Sequence, residues 1–375
     1  MRKLGVGVIG TGFSGKLHAR AALANGARLV GVVGTDEETS RRVAEQLGAE
    51  ERFADARSLI EHHAVGVVHV CTPNVFHVPL ADYVLAQGKH VVCEKPLAVS
   101  VKDAAALAAR AAEAGVVAAV PFVYRYHAMV LEARSRIAAG QLGAVQLVHG
   151  SYLQDWLLGA EDANWRVSAE IGGPSRAFAD IGAHWCDLVE WLTGQRITRL
   201  CALTKTAVPE RPRDGRHTFG PVTEGDHAEL EPVETEDLAC LIFSLSAGAA
   251  GSLTVSQVSA GRKNRIWLEI DGSRSSLAFD EERAEQLWLG RRTGNEILLR
   301  DPLSLSPAAA GVTTLPAGHN EGFADTFAAL LGDVYEAVLG GERRYPTFDD
   351  GLRAVRLTDA VLRSSAEHSW VGVDS

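Results

Sequence analysis

The chain has 375 residues, more than one hydrophobic core usually organises, so we expect two domains. Its 46 % hydrophobic and 22 % charged residues are typical of a folded globular protein. The formal net charge of -10 argues against a nucleic-acid partner, which needs a basic face. The sequence shows neither a membrane-spanning run of roughly 20 apolar residues nor a signal-peptide-like start, which predicts a cytoplasmic protein.

The five cysteines are odd in number, widely spaced and mostly within apolar runs: Cys71, Cys93, Cys186, Cys201 and Cys240. We therefore expect reduced core residues rather than disulfides or a metal cage.

A glycine-rich turn follows the first predicted strand. An apolar run over residues 4–9 is followed by Gly-x-Gly-x-x-Gly and then by a helix to about Ala24. In this context the motif predicts a dinucleotide loop, with the pyrophosphate at the helix N-terminus. The alternative is a glycine-rich turn without a ligand. The residues expected to bind the dinucleotide are Gly10, Thr11, Gly12, Phe13, Ser14 and Gly15.

Strands and helices then alternate along the first third of the chain. We predict strands at 28–33, 65–71, 90–93 and 116–120, and helices at 37–47, 77–87 and 101–114. Repeated βα units with apolar strands predict a parallel sheet covered on both faces, which is a Rossmann domain over residues 1–122.

The end of the second strand bears on the choice of cofactor. Many NAD-binding domains place a carboxylate there for the ribose 2′-OH, but this chain has Gly34, followed by Thr35 and Asp36. The missing carboxylate leaves room for a 2′-phosphate, whereas Asp36 remains close enough to serve NAD. The polar residues that could contact a phosphate are Thr35, Ser40, Arg41 and Arg42. We expect NAD or NADP, with a slight preference for NADP.

Two further strand ends carry polar residues. Cys71-Thr72-Pro73-Asn74 ends one strand, with His77 opening the next helix, and we expect these five residues to contact the cofactor. Asn74 could instead cap the helix. The run His90–Cys93 ends in Glu94-Lys95-Pro96, which places Lys95 at the carboxyl edge of the sheet, where open α/β sheets bind ligands.

The remainder, residues 123–375, predicts a second domain. After a helix at 128–139, strands are expected at 146–152, 197–205, 238–245, 251–257 and 266–270, without regular helical crossovers. This pattern predicts an α+β domain with a mostly antiparallel sheet. Thr206 to Val233 predicts a long exposed loop, either a lid or subunit arm or, as we favour, a surface insertion.

The helix after Asp180 has an apolar stripe in which His184 takes part. One turn separates the two residues, so both side chains can reach one pocket. Alternatively Asp180 is an N-cap and His184 a half-buried core residue. No third and fourth ligand supports a metal there, and we expect no metal.

Several aromatic and polar residues are expected to contact a substrate, since sugar-binding surfaces combine rings with hydrogen-bonding groups. They could equally cover a sheet edge, and His319 could cap the helix predicted at 323–339. The set is Tyr124, Tyr152, Gln154, Asp155, Trp165, Arg166 and His319. Arg125 is expected to contact the cofactor, as are Glu94 and Lys95.

Four motifs in order resemble the glucose-fructose oxidoreductase / inositol dehydrogenase / rhizopine-catabolism (Gfo/Idh/MocA) family: Gly10–Gly15, Cys71–Asn74, Glu94–Pro96 and Asp180–His184. The resemblance runs to the segment before the last helix, Tyr345–Gly351. It implies a Rossmann domain, a C-terminal domain with a large open sheet that often mediates oligomers, and a homodimer or homotetramer. The last helix is expected to pack back on the first domain. It also implies oxidation or reduction of a secondary alcohol on a sugar or polyol, with Lys95, Asp180 and His184 catalytic.

In the mechanism that we expect, His184 takes the hydroxyl proton while hydride leaves the same carbon for the nicotinamide. Lys95 holds the substrate oxygen, and Asp180 orients His184 or binds an adjacent hydroxyl. Glu94 supports Lys95. The competing hypotheses are a non-catalytic nicotinamide or sugar sensor and a sugar epimerase or lyase with tightly bound cofactor.

Overall fold

The computed structural model describes residues 3–212, 216–217 and 230–374. Its helices are α1 (Phe13–Ala24), α2 (Glu37–Leu47), α3 (Ala56–Glu61), α4 (His77–Ala86), α5 (Val101–Ala114), α6 (Ala128–Ala138), α7 (Ala169–Gly172), α8 (Ala183–Thr193), α9 (Pro307–Gly311), α10 (Phe323–Val338) and α11 (Phe348–Glu367). Short 3₁₀ turns occur at Asn74–Phe76, Val123–Tyr126, Trp165–Val167 and Glu281–Arg283, and a π-helical turn at Phe178–Gly182.

The strands are β1 (Gly5–Ile9), β2 (Arg28–Val33), β3 (Val67–Val70), β4 (His90–Cys93), β5 (Ala118–Ala119), β6 (Val145–Leu153), β7 (Asp162–Ala163), β8 (Ile197–Lys205), β9 (Glu210–Pro212), β10 (Arg216–His217), β11 (Leu230–Pro232), β12 (Leu238–Leu245), β13 (Ala250–Ser256), β14 (Arg265–Gly272), β15 (Ser276–Asp280), β16 (Gln286–Arg291), β17 (Gly294–Leu299) and β18 (Val371–Gly372).

The chain packs as two compact units. The first holds the residues up to Val123 together with Phe323–Val355, and the second holds Tyr124–Gly322 and the residues from Arg356 onward. Helix α11 therefore begins in the first unit and ends in the second. As domain limits, 1–122 and 123–375 stay a prediction.

The first unit contains a five-stranded parallel sheet in the order β2-β1-β3-β4-β5. Strands β1 and β3 are buried along their whole length, which explains their uninterrupted apolar sequence. The strand order reverses between β1 and β3, and ligands bind at such a switch point in open α/β sheets. Two later segments complete this unit: α10 packs against α1, and Thr347 forms a β-bridge with Ala119 of β5.

The second unit contains a nine-stranded sheet in the order β17-β16-β15-β14-β6-β13-β12-β8-β18. Neighbouring strands are antiparallel except for β6 and β13. Trp185 of α8 is fully buried against one face: its indole N–H donates to the carbonyl of Trp267, 2.8 Å away, and its ring meets Phe243 edge-on. On the other face Leu203 and Ile242 are exposed.

The predicted fold class is confirmed: a Rossmann unit is followed by an α+β unit with a mixed, mostly antiparallel sheet. Helix α3 and the strands β15 to β17 were not predicted. The part of the chain that the structure describes has no helix long and apolar enough to cross a membrane. The cytoplasmic location stays a prediction.

Two expectations from the sequence are wrong. Within the predicted loop Thr206–Val233, residues 213–215 and 218–229 lie outside the described residues, but the described ends form the ladder β9/β11. Arg211 there is buried, because its guanidinium donates to the carbonyls of Leu157 and Gly159. The five cysteines are all free as expected, but Cys240 is exposed, since alternate residues of β12 point to the open face of the sheet.

Candidate active site

The glycine loop after β1 is shaped by close backbone contacts. Gly10 has φ +126, and a Cβ there would lie 2.3 Å from the carbonyl oxygen of Cys71. A Cβ on Gly15 would lie 1.9 Å from the carbonyl oxygen of Gly10, so both positions exclude a side chain. A Cβ on Gly12 would meet nothing within 4 Å, and no side chain caps the N-terminus of α1. The loop is therefore tight where it folds and open where a pyrophosphate approaches, which fits a dinucleotide.

The turn after β2 is organised around Asp36. Its carboxylate caps α2 by accepting the backbone N–H of Thr39 at 2.7 Å, and it also accepts the hydroxyl of Thr35. The hydrogen bond from Thr39 makes the largest contribution to lowering the pKa of Asp36, and the one from Thr35 adds to it. The carboxylate is therefore ionised at neutral pH. A Cβ on Gly34 would lie 2.7 Å from Cγ2 of Thr11, which explains the glycine at the strand end.

Among the other residues expected near the ribose, Ser40 accepts a hydrogen bond from the backbone N–H of Gly34. Arg41 pairs with Glu45 one turn along α2 at 3.3 Å, and Arg42 is exposed. The guanidinium of Arg41 therefore has a carboxylate partner within its own helix.

His77 ties together the turns that follow β3 and β4. The ring is buried, with Nε2 2.8 Å from the carbonyl oxygen of Thr72 and Nδ1 2.7 Å from that of Pro96. Burial lowers the pKa of His77 and outweighs the opposing effect of the two carbonyls. Asn74 is buried and opens the 3₁₀ turn, while Phe76 holds the N-cap position of α4, so Asn74 does not cap that helix.

Glu94 lies beneath the turn that carries Lys95. One carboxylate oxygen accepts from the backbone N–H of Lys95 at 3.1 Å, and the other lies 3.2 Å from Nε2 of His18 on α1. Burial raises the pKa of Glu94, but the hydrogen bond from His18 and the nearby positive charge outweigh it and lower the pKa to about 2. The expectation that Glu94 supports Lys95 fits this geometry. His18 was not singled out from the sequence.

In the second unit, Asp180 lies on the π-helical turn Phe178–Gly182, which runs directly into α8. It is therefore not an N-cap, and the sequence-based alternative for it is wrong. The turn is anchored by the buried carboxylate of Glu236, which accepts from the backbone N–H groups of Arg176 and Phe178. π-Helical turns of this kind occur often at functional sites.

Two side chains hold the carboxylate of Asp180. The side-chain amide of Gln257 donates to Oδ2 at 2.9 Å, and Nε of Arg166 lies 3.4 Å from Oδ1. The guanidinium of Arg166 also stacks on the ring of Trp165, 4.3 Å from its centroid. The structure thus brings together three predicted residues, while Gln257, which lies 77 residues along the chain from Asp180, was missed.

His184 is buried within the apolar stripe of α8, as the periodicity predicts. Its ring meets the ring of Tyr124 edge-on, with 5.1 Å between centroids. His184 is therefore in contact with Tyr124, which is also predicted to bind the substrate.

A hydrogen-bonded group surrounds Tyr124. The hydroxyls of Tyr124 and Tyr152 contact each other, and both bond to the side chain of Asn264, at 3.0 Å and 2.8 Å. Gln154 donates to the same amide oxygen at 2.7 Å and accepts from the indole of Trp156. Asn264 has no distinguishing pattern in the sequence and was missed.

The remaining predicted contacts lie elsewhere in the second unit. Asp155 pairs with the exposed Lys263 at 2.6 Å. Arg125 forms a two-bond ion pair with Asp187 of α8. His319 is exposed, and its carbonyl accepts from Arg300. Their contacts to substrate or cofactor stay predictions.

Glu281 is a carboxyl that sequence reasoning missed. It follows β15 and acts electrostatically on both Tyr124 and Tyr152. Burial, reinforced by the neighbouring charges of Asp280 and Glu282, raises the pKa of Glu281 to about 7. A carboxyl that titrates near neutrality beside a polar group of this kind is typical of functional sites.

Among the described residues, one group offers three metal-ligand atoms within 4.8 Å of one another: His149, Glu269 and Asp271. Alternation along β6 places His149 on the face opposite Tyr152. The group is therefore separate from the polar residues around Tyr124, and the absence of a metal stays a prediction.

Comparison with known proteins agrees with both units. Residues 4–122 match the model of an oxidoreductase family with an NAD-binding Rossmann fold, and residues 130–278 match the GFO/IDH/MocA C-terminal domain. The levoglucosan dehydrogenase of Pseudarthrobacter phenanthrenivorans is 31% identical over 100% of this chain and 99% of its own. The chain belongs to the Gfo/Idh/MocA family. The resemblance inferred from the four motifs is thus confirmed, as is the prediction of a dehydrogenase-type oxidoreductase.

Solved structures extend the likeness over the whole chain. An oxidoreductase domain protein from Kribbella flavida has a TM-score of 0.92 and 35% identity, covering 100% of both chains. Levoglucosan dehydrogenase in complex with NADH and L-sorbose has a TM-score of 0.91 and 29% identity, covering 99% of both.

The two glycines of the loop provide a matched pair of substitutions. Gly15→Ala should lower the free energy of unfolding by about 1–3 kcal/mol, because its Cβ would press on the carbonyl of Gly10. Gly12→Ala should leave stability within about 0.5 kcal/mol but weaken dinucleotide affinity about tenfold or more, since it fills the open approach. Urea unfolding and NADH fluorescence titration measure the two effects. Unchanged affinity in Gly12→Ala would contradict a pyrophosphate at this position.

The raised pKa of Glu281 predicts that the free energy of unfolding depends on pH. Since its pKa is raised from 4.5 to about 7, the folded state binds the proton more tightly, and its stabilising contribution is lost as pH rises through this interval. Relative to Glu281→Gln, the wild type should lose about 2 kcal/mol between about pH 5 and pH 8, after allowance for solvent screening. Urea unfolding at both pH values tests this, with Glu113→Gln, at an exposed position of α5, as control. Parallel pH profiles for wild type and Glu281→Gln would refute the assignment.

Proposed function

We propose that the protein is an NAD-dependent dehydrogenase that transfers hydride between nicotinamide and a secondary alcohol of a sugar or polyol. The observation that carries this proposal is the full-length likeness to levoglucosan dehydrogenase, a structure of which holds NADH and L-sorbose. The aromatic and amide groups around Tyr124 support it, since such a mixture suits the C–H faces and hydroxyls of a sugar.

The choice of NAD over NADP rests on the turn after β2. Asp36 is ionised and lies two residues after Gly34, the first residue of the turn. A carboxylate in this turn favours a ribose hydroxyl and repels a 2′-phosphate. Arg41, the cation expected to receive a phosphate, is paired with Glu45. The slight preference for NADP inferred from the sequence is thus replaced by a proposal for NAD.

The bound nicotinamide would supply the hydride acceptor, held by the loop Gly10–Gly15 and the turns after β2 and β3. Lys95 would donate a hydrogen bond to the reacting substrate oxygen and stabilise the negative charge that develops there. His184 would accept the hydroxyl proton at a ring nitrogen.

Asp180 would orient the substrate or His184. The bonds from Gln257 and Arg166 support this role, because they fix both oxygens of the carboxylate in place. Tyr124, in ring contact with His184, would position a neighbouring hydroxyl. The homodimer or homotetramer expected from the resemblance stays a prediction.

Removing the ammonium group of Lys95 should abolish most of the activity. We expect Lys95→Met to lower kcat/KM for levoglucosan oxidation about a hundredfold or more, as when one charge-stabilising donor is lost. The assay follows NADH absorbance, and NADH titration checks that the cofactor still binds.

Lys89→Met is the matched control, because Lys89 precedes the same strand and donates to the carbonyl of His62 instead. It should retain activity within a few-fold. Wild-type turnover by Lys95→Met would contradict the catalytic role, and a wild type inactive on a panel of sugars and polyols would contradict the proposed function.

Asp36→Ser tests the cofactor preference. Serine is a good N-cap, so α2 should be preserved while the charge is removed. We expect the ratio of kcat/KM for NAD to that for NADP to fall about tenfold, because a like-charge repulsion against the 2′-phosphate is lost. Glu38→Ser in the same helix turn should leave the ratio unchanged. A wild type that prefers NADP would overturn the proposal for NAD.

A further inference from the structure

Four buried polar side chains form a continuous hydrogen-bonded chain in the first unit. The hydroxyl of Tyr335 on α10 lies 3.0 Å from Nε2 of His69 on β3. Nδ1 of His69 lies 2.9 Å from Nδ1 of His18 on α1, and Nε2 of His18 lies 3.2 Å from Glu94. Both histidines are 0% exposed, so water cannot replace a missing partner, and each donor must face an acceptor.

The protonation states at the two ends of this chain are set by its surroundings. Burial raises the pKa of Tyr335, so the phenol keeps its proton. Burial holds the pKa of His69 well below its usual range, so this ring is neutral and carries a single N–H. Glu94 is ionised and can only accept. His18 must therefore donate from Nε2 to Glu94.

Two proton arrangements remain for the middle of the chain. In the first, Tyr335 donates to Nε2 of His69, His69 donates from Nδ1 to His18, and His18 is neutral. In the second, His18 carries both protons and donates to His69, which donates in turn to the oxygen of Tyr335. The second arrangement leaves the phenol hydrogen without an acceptor among the described residues. The first leaves no buried donor unused.

We propose that Tyr335 and His69 are positioning residues that, through His18, hold Glu94 and the backbone of Lys95 in place. Each bond of the chain then runs toward Glu94: Tyr335 donates to His69, His69 to His18, and His18 to Glu94. The other oxygen of Glu94 accepts the backbone N–H of Lys95, so the position of the Glu94 carboxylate also determines that of the Lys95 backbone. The inference rests on the proposed function, in which Lys95 holds the substrate oxygen.

The loss of the phenol hydroxyl has a specific consequence. Without it, Nε2 of His69 has no donor, although His69 can still donate from Nδ1 to His18 and His18 from Nε2 to Glu94. The ring of His69 is then hydrogen-bonded on one side only. A displacement of this ring passes through His18 to Glu94, 241 residues away in sequence from Tyr335.

Nitrogen NMR of the protein labelled with ¹⁵N-histidine and ¹⁵N-lysine tests the chain directly. In the wild type we expect protonated Nδ1 and unprotonated Nε2 for His69, and the reverse for His18. Tyr335→Phe should keep these tautomers, shift the Nε2 resonance of His69, which loses its hydrogen bond, and shift the backbone amide resonance of Lys95. Tyr83→Phe is the matched control, because its hydroxyl bonds to the exposed Glu61 in the same unit. It should change neither signal.

Kinetics test the consequence for the reaction. Tyr335→Phe should lower kcat about tenfold, as expected for slight misplacement of a reacting group, with unchanged NADH affinity. His69→Asn, whose amide can still donate toward His18, should retain more activity than His69→Leu. This rescue separates positioning from a loss of packing, which both variants share.

Three results would overturn the inference: a doubly protonated His18 in the wild type, an unmoved Lys95 amide in Tyr335→Phe, or wild-type kcat in that variant. Failure of the proposed function is distinguishable from these. A wild type that oxidises no sugar, yet shows the expected tautomers and the expected shift of Lys95, supports the positioning chain and overturns only the reaction.

Discussion

An ionised carboxylate in the interior is the constraint on which the first unit depends. An isolated buried charge costs several kcal/mol, so Glu94 has to be surrounded by donors. They come from separate parts of the chain: His18 on α1 and the backbone at the end of β4. His77 of α4 then fastens the same turn to the one after β3. Compensating one charge therefore fixes the strand ends that surround the dinucleotide loop.

The second unit also contains a buried carboxylate that is surrounded by donors. It belongs to Asp237, which is fully buried. Its carboxylate pairs with Arg176 and Arg211 and accepts the backbone N–H groups of Ala207 and Val208. Arg176 precedes the π-helical turn, and its carbonyl accepts the N–H of Asp180. A buried ion pair of this kind fixes the local geometry more reliably than it raises the free energy of unfolding.

The sequence was sufficient for features encoded over short stretches. The glycine loop, the βα alternation and the stripe on α8 each depend on residues within about one element, so spacing alone reveals them. The partners that hold the candidate catalytic and substrate-binding residues could not be found in this way. Gln257 and Asn264 are ordinary amides whose relevance arises only when strands far apart in sequence become neighbours. The π-helical turn is likewise invisible, because it depends on Glu236, 58 residues beyond Phe178.

The first compact unit is discontinuous in sequence, since Phe323–Val355 completes it about 200 residues after Val123. On the ribosome, the first five strands emerge while α10 has not yet been synthesised. During that interval the face of α1 that later meets α10 lacks its cover, and His69 lacks the phenol of Tyr335. Contacts of such long sequence separation slow folding. Completion of the first unit is thus coupled to synthesis of nearly the entire chain.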